Sequence, residues 1–183
     1  MNRKQVLPEV EISATPQALQ AVDLCAPQTY HGEGRLSLGA LPRVALELAI
    51  SSPDNGFAWQ IQTQFTANQA GDQAQTLRLR LNGQAPLTCQ RCLQTFQYSL
   101  NVERLFIVVA DEAAADAYPI EDDLLDPLVC SPHFDILALI EDEILLSLPL
   151  VPKHPEALCA PSPLLGVIEE PENPFKVLKN IRK

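Results

Sequence analysis

Phe57-Ala58-Trp59-Gln60-Ile61-Gln62-Thr63-Gln64-Phe65 is the stretch that decides how this chain folds. Large side chains fall at every second position, and glutamines fill most of the places between them. Successive side chains of an extended strand point to opposite faces, so this is a strand with one dry face and one wet one. Residues 68–75, with Gly71-Asp72 inside them, supply a turn. Leu77, Leu79 and Leu81 then alternate with Arg78, Arg80 and Asn82 as a second strand. Further on, Phe96, Tyr98, Leu100 and Val102 alternate with Gln97, Ser99, Asn101 and Glu103, and the pattern fills in through Leu105-Phe106-Ile107-Val108-Val109. Sequential strands, short connections and one wet face predict an antiparallel meander.

Before the meander, Thr15-Pro16 reads as an N-cap and a proline at N1 of a short helix over residues 17–22. Residues 30–39 carry three glycines and contain one short extended piece, such as Arg35-Leu36-Ser37-Leu38. Residues 41–50 alternate like a strand, but Pro42 and the Ala, Leu and Glu content favour a helix. After the meander, residues 111–126 are acidic, alanine-rich and without period, and read as a solvated loop. Asp135 caps a helix whose apolar residues Ile136, Leu137, Leu139, Ile140, Ile144, Leu145 and Leu148 cover most of its surface. Its acids Glu141, Asp142 and Glu143 fan over about 200°, since each residue turns about 100°. Pro149 ends it.

The expectation is one α+β domain over residues 1–152, made of N-terminal helical segments, an antiparallel β meander and an apolar helix packed on its dry face. Residues 153–183 follow as a proline-rich surface segment. Within it Asn173-Pro174 starts a short C-terminal amphipathic helix with Phe175, Leu178 and Ile181 at i, i+3 and i+6.

The totals suit an ordinary globular protein, with 183 residues, 46% hydrophobic and 20% charged. Thirteen Lys and Arg against 23 Asp and Glu give a net charge of −10. Such a body repels phosphate, unlike a typical nucleic-acid-binding domain with its basic stripe. Any RNA contact would run through a local patch or a protein partner. Met1-Asn2-Arg3-Lys4-Gln5-Val6-Leu7-Pro8-Glu9 contains no apolar signal core, and no uncharged run approaches the roughly 20 residues that cross a bilayer. With five cysteines, an odd number, the reading is a cytosolic protein with reduced thiols and no membrane association.

Three groups of residues carry candidate chemistry. Cys89-Gln90-Arg91-Cys92, between two alternating stretches, has the spacing that lets two sulfurs reach one zinc ion through a tight turn. Two second halves compete for the same ion: His154 with Cys159, and Cys130 with His133. The plain alternative is that the thiols pack a hairpin turn. A redox role for the pair is disfavoured, because Leu93-Gln94-Thr95-Phe96 leads into another strand rather than a helix N-terminus. Cys25 has no evident partner and reads as a helix-face residue. Next, Arg78, Arg80 and Arg91 are a candidate cationic patch, against the plainer reading of a solvated strand face countered by Glu103. Third, the C-terminal stripe Phe175, Leu178 and Ile181, followed by basic residues, docks on its own domain, on a partner or on RNA. Glu141 and Glu143 point about 200° apart and cannot converge on one substrate. His31, His133 and His154 each stand in a predicted loop, and no Ser/His/Asp order or glycine-rich phosphate loop is present.

The cysteine pair, the run Glu141-Asp142-Glu143-Ile144-Leu145-Leu146-Ser147-Leu148-Pro149-Leu150-Val151-Pro152 and Asn173-Pro174-Phe175-Lys176-Val177-Leu178 occur in that order. In this combination the chain resembles the YceD family of bacterial proteins, the large ribosomal RNA subunit accumulation proteins, closely from about residue 80 and loosely before. The resemblance implies a non-enzymatic, cytoplasmic factor for synthesis, processing or stability of large-subunit ribosomal RNA. It implies a ribosomal protein or rRNA-processing factor as partner, and the net charge makes a basic protein the easier one. Many YceD-like chains carry extra cysteines after the matching prolines, which favours Cys89, Cys92, His154 and Cys159 as a zinc set; here one histidine and one cysteine stand there. The rival function is a cysteine- or metal-dependent enzyme or carrier using Cys89 and Cys92.

Overall fold

The computed structural model describes residues 7–49, 55–67, 73–119, 124–155 and 159. Its centre is the meander the alternation predicts. Strands β2 (Thr29–Ser37), β3 (Gly56–Ala67), β4 (Gln73–Thr88) and β5 (Thr95–Val109) lie side by side in chain order, each antiparallel to the next. Short strands β1 (Glu9–Glu11) and β6 (Asp126–Val129) add to the two edges in parallel, making a six-stranded sheet. In the register, Phe57, Trp59, Ile61 and Thr63 stand opposite Gly83, Leu81, Leu79 and Leu77. Apart from Gly83, these residues are all buried, while Gln60, Gln62 and Gln64 on the other face are exposed.

The N-terminal part departs from the expected helical segments. Thr15 caps and Pro16 opens a helix as expected, but this α1 (Pro16–Leu19) is only four residues long. A second helix, α2 (Pro42–Glu47), is opened by Pro42 but stops at Leu48, which is extended. The long element of this region is strand β2, of which the sequence reading found only the last few residues. Its dry-face positions 32 and 34 are glycines, so the apolar alternation is blank where it would be read. The glycines are there because the space is taken. A Cβ on Gly34 would stand 2.6 Å from Ala14 Cβ and 3.2 Å from Trp59 Nε1, and one on Gly32 would stand 2.8 Å from the Ile12 carbonyl oxygen.

A second correction concerns residues 111–126. Asp111 caps helix α3 (Glu112–Asp116) by accepting the Ala114 N–H at 2.8 Å, and Asp126 begins β6, so the segment is not simply a loop. Pro127 is tolerated in β6 because the strand lies at the sheet edge.

Helix α4 (Ile136–Ser147) is the predicted apolar helix, capped by Asp135 through the Ala138 N–H at 2.9 Å. It crosses the dry face over β4 and β5 and also meets α1 and α2. Ile136, Ile140 and Ile144 are each 0% exposed and join Leu77, Leu79, Leu81 and Phe57 in one core. Its acids are ties between elements. Glu141 accepts the backbone N–H groups of Arg43 at 2.6 Å and Val44 at 3.2 Å, and the Arg43 Nε–H at 2.8 Å. Leu41, at the N-cap of α2, offers no side-chain acceptor, so a carboxylate from α4 caps that helix instead. Asp142 takes Arg43 Nη1 at 2.6 Å. Glu143, on the opposite flank, accepts from Arg104 Nε of β5 at 3.0 Å. Burial outweighs that arginine and raises the Glu143 pKa.

Cys25 and Cys130 form a disulfide with Cα atoms 5.3 Å apart, against the expectation of wholly reduced thiols and of Cys25 as a helix-face residue. The bond ties the segment after α1 to the segment after β6. Those segments also pair through their backbones, Val22 with Phe134 and Leu24 with Ser131. No helix of the described residues is long and apolar enough to cross a membrane.

Candidate metal centre at the hairpin turn

The β4–β5 hairpin ends in the cysteine pair. Cys89 accepts the Leu93 N–H at 2.8 Å through its carbonyl, and its own N–H donates to the Gln94 carbonyl at 2.9 Å. This folds the four residues into a knuckle that turns both sulfurs inward. The geometry requires a left-handed residue at its exit, and Leu93 occupies that position with φ 61° and its side chain 72% exposed. A non-glycine residue there stores backbone strain.

After α4 the chain, broken by Pro149 and Pro152, runs back alongside this turn. The Gln90 N–H donates to the Pro152 carbonyl at 2.9 Å, docking the segment on the knuckle. His154 enters the interior, 8% exposed, with its ring 5.5 Å from that of Phe96. Within the segment expected to follow the surface from residue 153, His154 is instead buried. Cys89 and Cys159 sulfurs stand 3.8 Å apart, the Cys92 sulfur lies 3.7 Å from His154 Nε2, and all four ligand atoms fall within 4.8 Å of one another.

Two of these distances, 3.8 Å and 3.7 Å, match the edges of a tetrahedral zinc site. Zn–S bonds of about 2.3 Å and Zn–N bonds of about 2.0–2.1 Å place neighbouring ligands about 3.8 Å apart for two sulfurs and about 3.6 Å for sulfur and nitrogen. Cys89 and Cys92 are 0% and 3% exposed, as suits a closed structural site rather than an open catalytic one. Burial opposes the Cys89 thiolate. The N–H groups of Cys92, Arg91 and His154 and the Cys92 thiol outweigh it, bringing Cys89 down to about 6. Burial pushes Cys92 the other way, with the neighbouring sulfurs adding to it. Three thiolates on one zinc ion leave a net charge of −1. Arg91, whose Nε–H points at the Cys159 sulfur from 2.9 Å, is placed to balance it.

The structure therefore brings together Cys89, Cys92, His154 and Cys159, and it takes apart the competing half-site, since Cys130 is in the disulfide and His133 is exposed. It also divides the three arginines. Arg78 and Arg80 both hold Glu103, each at 3.3 Å, on the wet face. Arg91 lies beyond the end of β4, which continues eight residues past Arg80 and so about 26 Å. One three-arginine patch is not formed. Phe175, Leu178 and Ile181 lie outside the described residues. Sequence reasoning did not find Arg91 as a sulfur partner, Phe96 as the companion of His154, or the clamp of Glu141 on α2. Each joins positions far apart in the chain or of unremarkable local pattern.

Fold and site define a class: a small α+β protein with an open six-stranded sheet, one face covered by an apolar helix, and a Cys3His cluster closing the central hairpin. Residues 77–182 match the family model described as large ribosomal RNA subunit accumulation protein YceD, and the chain belongs to that family. It is 33% identical over 106 residues to the large ribosomal RNA subunit accumulation protein YceD of Haemophilus influenzae, a match covering 53% of this chain. The chain spans 59% of that relative's length. No solved structure matches it.

Proposed function

We propose that this chain is a non-enzymatic, cytoplasmic factor that promotes accumulation of large-subunit ribosomal RNA, and that its hairpin is closed by a structural zinc ion. The observation that supports the first part is the family match, which runs over β4, β5, α4 and the cluster together. The second part rests on the four ligand atoms within 4.8 Å of one another. Bound zinc would hold the segment after α4 on the knuckle and so fix the shape of that end of the molecule. Its role is architectural, because a site with four protein ligands leaves no open position for substrate.

The charge argues for how ribosomal RNA is reached. At −10 overall, and with Arg78 and Arg80 already facing Glu103, the body offers phosphate little. A basic ribosomal protein or a processing factor is the favoured partner. The rival, a thiol enzyme or carrier at Cys89 and Cys92, draws on the lowered pKa of Cys89. Near-complete burial of both sulfurs weighs against it, since a nucleophile must meet its substrate.

Two measurements test this reading. Elemental analysis of purified protein should give about one zinc per chain, lost on Cys89→Ser with a fall in melting temperature. Full stability with no metal would remove the zinc. Affinity capture from growing cells should bring down precursor large subunits or a ribosomal protein. Capture of nothing ribosomal, together with unchanged large-subunit RNA in cells lacking the protein, would refute the first part.

A further inference from the structure

The four side chains of the cluster are not equally sheltered. Cys89, Cys92 and His154 are buried, whereas Cys159 is only partly so. The Cys159 sulfur also has distinctive neighbours. It stands 3.8 Å from the Cys89 sulfur, 70 positions earlier in the chain, and it accepts the Nε–H of the exposed Arg91 at 2.9 Å. Reactive cysteines sit in partly exposed, electropositive surroundings, and of the three free thiols only Cys159 combines the two. The arrangement is one partly open sulfur beside a guanidinium, with a buried second sulfur within reach of it. Such a pair is how peroxide-responsive cysteines are built, an accessible thiol poised next to a resolving one.

We propose that Cys159 is the peroxide-sensitive position of this protein, and that its oxidation closes a Cys89–Cys159 disulfide which dismantles the metal centre. The inference rests on the zinc site proposed above and adds its regulation. Hydrogen peroxide is the one external reactant. The Cys159 thiolate attacks a peroxide oxygen, the O–O bond breaks, hydroxide leaves and a sulfenic acid forms. The Cys89 thiolate then attacks the Cys159 sulfur, the S–O bond breaks, and a second hydroxide leaves as the S–S bond forms. Two thiolates have given up two electrons, and the peroxide has taken them. Only Cys92 and His154 then remain as ligands, two where a structural zinc needs four, so the metal is lost. The Gln90 N–H to Pro152 carbonyl bond involves neither sulfur and keeps the segment after α4 on the knuckle while the thiols react. A dithiol reductant reverses the exchange, which makes this a switch rather than damage.

The test assays full-length protein for zinc, then adds hydrogen peroxide while a chromogenic chelator reports metal release. Disulfides are mapped by mass spectrometry after the free thiols are alkylated. The expected result is loss of about one zinc per chain, with a Cys89–Cys159 cross-link beside the existing Cys25–Cys130 bond and zinc binding restored by dithiothreitol. Cys159→His, which keeps a fourth ligand, should slow release by on the order of tenfold, since only buried sulfurs then face the oxidant. A Cys89–Cys92 link, zinc retained under peroxide, or release at an unchanged rate from Cys159→His overturns the proposal. If the untreated protein holds no zinc, the zinc reading fails by itself and the cross-link alone decides: Cys89–Cys159 upholds the sensitive position, and any other result refutes it.

Discussion

Replacing Glu141 by alanine is the sharpest test of how this protein is held together. The side chain is 8% exposed and takes three hydrogen bonds from α2. Loss of a helix N-cap costs about 1 kcal/mol. Two N–H groups left without an acceptor, one of them on Val44, which is fully buried, add about 1–2 kcal/mol. The ion pair itself adds little, because the Arg43 side chain is 49% exposed and screened by water. The sum is about 2–3 kcal/mol, a fall in melting temperature of roughly 4–12 °C for a domain of this size. Asp142→Asn is the internal control. It removes a contact to the same arginine whose two partners are 49% and 51% exposed, and should cost below about 1 kcal/mol. Both are read by urea unfolding followed by circular dichroism, with the midpoint as the measure. If the two variants cost the same, Glu141 is not the cap of α2 and the acids of this helix act only as surface charge.

Leu93→Gly should stabilise by about 1 kcal/mol, since the side chain at this left-handed position is exposed and costs strain; a destabilised variant would mean that Leu93 is covered by something. Glu143 gives a pH dependence. Its folded pKa is raised above the unfolded value of about 4.5, so the folded state binds the proton more tightly and this group's contribution to stability falls as pH rises through the interval between the two values. Glu143→Gln should flatten that slope in urea unfolding series, and an NMR titration should find the carboxyl above the usual range; a value at or below 4.5 refutes the burial argument. Reduction of the Cys25–Cys130 disulfide, whose partners are 105 residues apart, should cost about 2–4 kcal/mol, seen as a lower melting temperature of the Cys130→Ser variant without added reductant. Arg78→Gln with Arg80→Gln should leave RNA affinity near zero and unchanged; tight, salt-sensitive binding lost in this variant would restore the wet face as an RNA surface.

Local pattern was enough for the centre of the fold. The period-two runs around Trp59, Leu79 and Leu100 place three long strands in order, because alternation forces a wet and a dry face and short turns force antiparallel neighbours. Thr15-Pro16, Asp135 and Pro149 mark helix ends by chemistry that acts within a few residues. Local pattern failed where the reason for a residue lies elsewhere in the chain. Strand β2 hides its alternation because Trp59 and Ala14 occupy the space over Gly32 and Gly34. In the acid run of α4, spacing alone gives Glu141 and Glu143 opposite flanks, but only packing supplies α2 for one and Arg104 for the other. Four cysteine and histidine side chains were nameable in advance as one of two competing ligand sets. The choice between those sets belonged to the tertiary structure, which spent Cys130 on Cys25 and folded the proline-broken segment back onto the knuckle. A sequence can show that a residue is able to bind; which atoms arrive within a few ångströms of it is decided by the backbone paths of segments tens of residues away.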